Sequence, residues 1–283
     1  MKRVLQWAGG TLALAGIGFV IIRLSKYSSQ IDLGRFGISD WIIITVLVVI
    51  YAFGSSTLAF AWWNLLVHHG IKPDFQTVVK IYGISQLARY IPGNIFHLAG
   101  RQAMGFAKGL PNWPLAKSSV WELVLISATG AIYGILALPL LISSIPVELS
   151  VVFFICVLSL FAVGVRHYLD IPTMRAVLFY AIFLCISGFI FVGALGVVNS
   201  GSGIKGWQLL PVSGAYVFAW LAGFLTPGAP AGMGVRELVV LMLLGNIVND
   251  VDLLLTVVLG RIITVCGNFI FFGVTGLIKK KIR

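Results

Sequence analysis

The sequence predicts an all-α polytopic membrane protein with six full spans and two re-entrant broken-helix hairpins, arranged as an inverted repeat. Three observations predict it. Only 10% of the 283 residues are charged while 59% are hydrophobic, and mean hydropathy is +1.02. A soluble domain carries roughly 25% charge, and one with so little would expose aggregating apolar patches. Apolar runs long enough to cross a bilayer recur, apolar on all sides and without the alternation of a strand. Two further stretches are interrupted by proline and glycine. Collagen-like, disordered and coiled-coil classes fail on the same composition.

The spans come in order as Leu5–Ile22, Trp41–Trp63, Val120–Ile142, Leu149–Val165, Val177–Val198 and Leu253–Ile278. Each approaches or exceeds the ~17–25 residues that a crossing helix needs. The first follows Met1, Lys2 and Arg3, as a signal peptide would. Arg23, Lys26 and Tyr27 then stand where a small-residue cleavage region belongs, so it is read as a retained span. Trp41, Trp62, Trp63 and Trp207 fit interfacial belts. His68 and His69 close a span and read as interfacial. Cys156, Cys185 and Cys266 lie in apolar runs without metal-ligand spacing and read as small buried hydrophobes.

The first interrupted stretch, 75–109, breaks at Tyr90-Ile91-Pro92-Gly93-Asn94 and carries Lys80, Arg89 and Arg101. The second, 207–249, has one run ending at Leu225 and another from Leu238 to Val248, which is too short to span. Irregular backbone at membrane depth is tolerated only inside protein or beside a water-filled cavity. Both stretches are therefore expected to be re-entrant hairpins, with a soluble loop the alternative for the first.

The two breaks resemble each other. Pro92-Gly93 and Pro227-Gly228 are the only Pro-Gly dipeptides, and nine residues after each proline stands an arginine, Arg101 and Arg236. Gln102 and Glu237 follow. Each half, 1–145 and 146–283, then has three spans and one hairpin within one membrane domain. An odd number of spans inverts the second half against the first, the plan of many transporters with a substrate site at the repeat interface.

Twenty Lys and Arg against nine Asp and Glu give +11 and a pI near 9.8. Much of the excess flanks apolar runs, at Lys2, Arg3, Arg166, Arg175, Lys279, Lys280, Lys281 and Arg283, so topology explains it better than nucleic acid does. Both termini and the loops Lys72–Lys117 and Arg166–Arg175 are expected in the cytoplasm of a plasma (inner) membrane protein. Loops 143–148 and 249–252, without Lys or Arg, face outside. Arg23, Lys26 and Arg35 run against the rule.

The chemistry sits at the breaks. Pro230, Gly232 and Gly234 let the backbone turn sharply, leaving Arg236 and Glu237 in the first turn of a half-helix whose free N–H groups suit an anion. Gly93, Asn94 and Gly100 surround His97 and Arg101 in the same manner. Arginine forks fit phosphate, and two opposed hairpins would bring Arg101 and Arg236 to one central cavity. The alternative is that each arginine pairs with Glu122 or Glu237. Glu122 and Arg261 occupy comparable places in their spans and could pair with each other, as a fixed bridge or as a gate. Arg89 is placed to snorkel, and His97 to pack or donate. If a phosphate drew an arginine from Glu122 or Glu237, that carboxylate would take up a proton. The six aspartates, Asp32, Asp40, Asp74, Asp170, Asp250 and Asp252, read as loop residues, and no P-loop, HExxH or Gly-x-Ser-x-Gly occurs. No cofactor and no metal is expected.

Tyr90-Ile-Pro-Gly-Asn-Ile-Phe-His-Leu-Ala-Gly-Arg101 and Pro227-Gly-Ala-Pro-Ala-Gly-Met-Gly-Val-Arg-Glu237 resemble two signature regions of the lysylphosphatidylglycerol synthase transmembrane-domain family, the flippase-like membrane proteins. Gly260-Arg261 resembles a third. The family's Pro-x-Gly-x-Gly-x-x-Glu pattern falls on Pro230, Gly232, Gly234 and Glu237. The resemblance implies flipping of an anionic phospholipid or a polyprenyl-phosphate-linked sugar across a prokaryotic plasma membrane. It makes that lipid or lipid-linked glycan the expected partner in the bilayer, with cell-envelope glycosyltransferases as neighbours. No counterpart of the aminoacyl-transfer domain accompanies the motifs, so lysyl transfer and enzyme activity are not expected. A carrier of small organic anions, or a polyprenyl-phosphate-sugar-dependent transferase using Asp250 and Asp252, are the alternatives.

Overall fold

The computed structural model describes residues 36–90, 96–199, 206–226, 232 and 234–278, and every element among them is helical. Five helices are long and apolar enough to cross a membrane: α1 (Ile38–His68), α4 (Asn112–Tyr133), α5 (Val147–Tyr168), α6 (Ile171–Val198) and α9 (Asp250–Gly276). A 3₁₀ turn, Gly134–Ala137, and a last helical turn, Leu138–Leu141, extend α4 to 30 residues. These cover five of the six expected spans, and the first, Leu5–Ile22, lies outside the described residues. Four shorter helices form two pairs: α2 (Phe75–Gln86) with α3 (Phe96–Ala107), and α7 (Leu209–Leu225) with α8 (Val235–Leu244). At 1.5 Å per residue, the 12 residues of α2 or α3 rise about 18 Å, short of a ~30 Å hydrocarbon core.

Of the aspartates read from sequence as loop residues, Asp74 and Asp170 do lie in connections, each just before a helix, while Asp40, Asp250 and Asp252 lie in the first turn of one. Asp74 accepts from Thr77 N–H (3.0 Å) and Asp170 from Thr173 N–H (2.8 Å), capping α2 and α6. Asp40 accepts from Gly37 N–H at 2.9 Å, while Asp250 and Asp252 occupy the first turn of α9. Each carboxylate meets free amide donors and the positive end of a helix dipole. Asp32 lies outside the described residues.

Helix α6 is the interior helix, with 61% of its most apolar stretch buried against 11% for α5. It packs on α1, α4, α5, α7 and α9. Helix α5 turns Val152, Phe153 and Leu160 outward, as a helix facing hydrocarbon does. Cys156 and Cys266 are exposed rather than buried, because they fall on outward faces of α5 and α9 where lipid is the neighbour.

The packing is paired throughout. Helix α1 packs on α9 as α6 packs on α4, and α1 on α4 as α6 on α9. The half-helix α2 packs on α9, just as α7 packs on α4. These cross-contacts are close. A Cβ on Gly214 of α7 would stand 2.9 Å from the Tyr133 carbonyl oxygen, and one on Gly267 of α9 would stand 3.0 Å from that of Val48. Small residues permit that approach where no hydrophobic force separates helix from lipid. Ser55 Oγ–H also reaches Asn268 Oδ1, from α1 to α9, at 3.4 Å.

Candidate anion site at the broken helices

Two separate clusters form, one beside each break. In the first, Arg101 projects from the second turn of α3 and is 1% exposed. Its Nη1 pairs with Glu122 Oε2 on α4, and its Nη2 donates to Glu122 Oε1 at 3.0 Å. The guanidinium lies 4.5 Å from the Tyr82 ring centroid and 5.4 Å from that of Trp62. Tyr82 O–H donates to Glu122 Oε1 at 3.1 Å, and Trp62 Nε1–H to Ser118 Oγ at 3.0 Å. A bidentate carboxylate and two aromatic faces thus replace the hydration of a buried cation. Trp62 was expected in an interfacial belt, but its indole finds a partner indoors and it is fully buried.

In the second cluster the backbone does the positioning. Gly232 (φ 71°) and Gly234 (φ 87°) take left-handed conformations that turn the chain into α8. A Cβ on Gly232 would stand 2.7 Å from Gly223 Cα, so the break lies directly on α7. Gly234 N–H donates to Glu237 Oε2 at 2.7 Å, closing the first turn. The other oxygen of Glu237 stands 2.7 Å from Arg261 Nη2 on α9. Arg236 is 8% exposed, its guanidinium 5.9 Å from the Tyr216 ring centroid, and its charge falls on Arg261. Arg236 and Arg261 thus stand in each other's field at the head of a half-helix, with Glu237 against Arg261. The other carboxylates of α9, Asp250 and Asp252, stand in its first turn.

The Glu122–Arg261 bridge expected from sequence does not form. Each long helix packs on the half-helix of its own half, α4 on α3 and α9 on α8, so Glu122 takes Arg101 and Arg261 takes Glu237. Arg101 and Arg236 likewise stand in clusters that share no residue. His97 is buried in the first turn of α3. Gly100 lies inside α3, where a Cβ would make only ordinary contact with Ser85 (3.8 Å). Arg89 belongs to the 3₁₀ turn Leu87–Tyr90, and its side chain lies outside the described residues. So do Pro92, Gly93, Asn94, Pro227, Gly228 and Pro230.

Sequence reasoning missed the aromatic residues that face the arginines. Tyr82 stands ten residues before Pro92 and Tyr216 eleven before Pro227, a recurrence that aligning the two breaks would have exposed. It also missed Gln86 and Tyr180, fully buried, whose side-chain polar atoms have no hydrogen-bond partner among the described residues. Tyr180 lies within electrostatic reach of Glu122, Tyr82 and Arg101. No family model and no curated protein matches the chain.

The clusters differ in what they can do. Arg101 already has a carboxylate in bidentate contact. Arg236 and Arg261, beside the N–H groups and positive dipole end of α8, form a concentration of positive charge suited to phosphate.

Proposed function

We propose that this chain is a flippase-type transporter for an anionic phospholipid or a polyprenyl-phosphate-linked sugar, its phosphate meeting Arg236 and Arg261 beside the second break. One observation carries this reading. Two guanidiniums, Arg236 and Arg261, lie in each other's field at the head of a ten-residue helix flanked by spans. Cations at that depth cost at least ~3 kcal/mol and are retained where they have work to do. The paired helix contacts support a two-fold repeat with α2–α3 and α7–α8 as opposed re-entrant hairpins, whose relative movement would expose the site to each face. The His68–Asp170 and Lys80–Ile278 contacts gather Lys80, Lys117, Arg166 and Arg175 toward one end of the bundle, which supports a cytoplasmic assignment for that end in a plasma membrane. Arg101 serves here as structure rather than as half of a phosphate clamp.

Transport in reconstituted vesicles tests the reading, with fluorescent phosphatidylglycerol and a polyprenyl-phosphate sugar as cargo. Arg236→Gln/Arg261→Gln should lower the rate at least tenfold while the protein melts near the wild-type temperature. Equal rates in variant and wild type would overturn it. Uptake of a small organic anion without competition from lipid would replace the flippase with a carrier.

A further inference from the structure

A second place in the molecule, on the same turns of α4 that carry Glu122 but sharing no residue with either arginine cluster, has the chemistry of a headgroup site. Where α1 ends, beside the N-terminal half of α4, a cavity of about 460 Å³ is lined by His68, His69, Trp113, Lys117, Val120 and Trp121, with Ala116 at its floor. Its walls are mostly apolar rings, and its full positive charge is the Lys117 ammonium, 5.5 Å from the Trp113 ring centroid. Asp170, at the start of α6, is occupied by His68 Nδ1 at 2.6 Å. His68 in turn stands edge-on to Trp121, with centroids 6.1 Å apart. His69 lines the same cavity, and its Nε2 has no hydrogen-bond partner among the described residues. One cation therefore stands on an aromatic wall that two histidines border.

The level and the exposure of this cavity decide between aqueous and lipid ligands. It sits at the ends of spanning helices, the level at which Trp residues meet headgroups. Trp113 is 70% exposed and Val120 is 60% exposed, so the cavity opens along the outward face of α4 rather than into the bundle. A free phosphate would leave those apolar walls in contact with water, whereas a phosphodiester carrying acyl chains covers them. We propose that this cavity is an interfacial binding site for an anionic glycerophospholipid. Lys117 pairs with the phosphodiester, and Trp113, Trp121 and Val120 hold the glycerol and the first methylenes.

Binding to purified full-length chain in a zwitterionic detergent tests the site, with phosphatidylglycerol, phosphatidylcholine and inorganic phosphate as separate probes counted by native mass spectrometry. Phosphatidylglycerol should bind in preference to phosphatidylcholine. Lys117→Gln should weaken it about fivefold, the effect of one basic residue at an anionic surface. Trp113→Ala should weaken both lipids. Lys108→Gln, an exposed lysine outside the cavity, should change neither. Lys117 and Trp113 are exposed, so these variants keep the fold. Unchanged phosphatidylglycerol binding in both cavity variants would overturn the site. So would equal affinity for the two lipids, or displacement of the lipid by millimolar inorganic phosphate. Because no residue here belongs to the Arg236 cluster, transport loss in Arg236→Gln/Arg261→Gln and binding loss in Lys117→Gln are separate outcomes.

Discussion

The two broken-helix pairs are built alike and charged differently. Each sets a tyrosine on its first half-helix, Tyr82 or Tyr216, against an arginine on its second, Arg101 or Arg236. Each then packs on a long helix that supplies a charged partner. In the first pair that partner is Glu122, and a cation meets an anion. In the second it is Arg261, which meets Glu237 from the half-helix itself and lies in the field of Arg236. The same scaffold therefore yields a fully buried arginine–glutamate bridge on one side and two neighbouring guanidiniums on the other. The first arrangement suits holding helices together, and the second suits holding an anion.

The largest effect should come from breaking the buried bridge. Glu122→Gln leaves Arg101 buried at 1% exposure without its counter-charge, a change that costs about 3–5 kcal/mol in buried pairs. Thermal unfolding in detergent should fall by on the order of ten degrees. Glu237→Gln should cost about 1 kcal/mol, because its side chain is 17% exposed and a Gln oxygen still accepts from Gly234 N–H. If the two variants melt alike, the division into a structural and a binding cluster fails.

Backbone strain gives the next contrast, confined to the second pair. Gly232 and Gly234 both have positive φ, but only Gly232 is pressed against another backbone, that of Gly223. A Cβ on Gly234 meets nothing within 4 Å. Gly234→Ala should therefore cost only the left-handed strain, on the order of 1 kcal/mol, while Gly232→Ala adds a clash and should reach ~2–3 kcal/mol. Melting curves of the two variants measure the difference, and equal losses would mean that the break does not rest on α7.

This contrast also marks how far the sequence could be read. The spans were legible because hydrocarbon demands long, uniformly apolar helices, and the breaks because Pro92-Gly93 and Pro227-Gly228 stand alone in the chain. Gly232 and Gly234 were legible for a related reason, since glycine is cheap where φ must be positive. The pairing of charges was not. Whether Glu122 meets Arg101 or Arg261 depends on which half-helix lies beside α4, and that is a long-range packing outcome that spacing along the chain does not encode. Asp40, Asp250 and Asp252 were misread because a first-turn residue and a loop residue look the same until the start of the helix is known.

The smallest effect belongs to the interfacial end, where charge is only half buried. Burial works against ionisation of Asp170, but hydrogen bonds from Thr173 and His68 outweigh it and hold the carboxyl below its ordinary value. Burial, then the neighbouring charges of His68 and Lys117, hold His69 below its ordinary 6.5, with Asp170 opposing them. Both shifts have the same sign for stability. On acidification the unfolded chain takes up each proton before the folded one, so stability falls, first below the ordinary histidine range and again below that of the carboxyl. Asp170→Asn separates the two steps. An Asn side-chain oxygen still caps α6 through Thr173 N–H, so only the contact with His68 is lost, worth under ~1 kcal/mol at this exposure. The melting temperature at pH 7 should drop by a few degrees at most, the decline near pH 6 should remain, and the decline near pH 3–4 should become smaller, since Asp40 and Asp74 still cap their helices. A lower step of undiminished size would show that Asp170 contributes nothing to it.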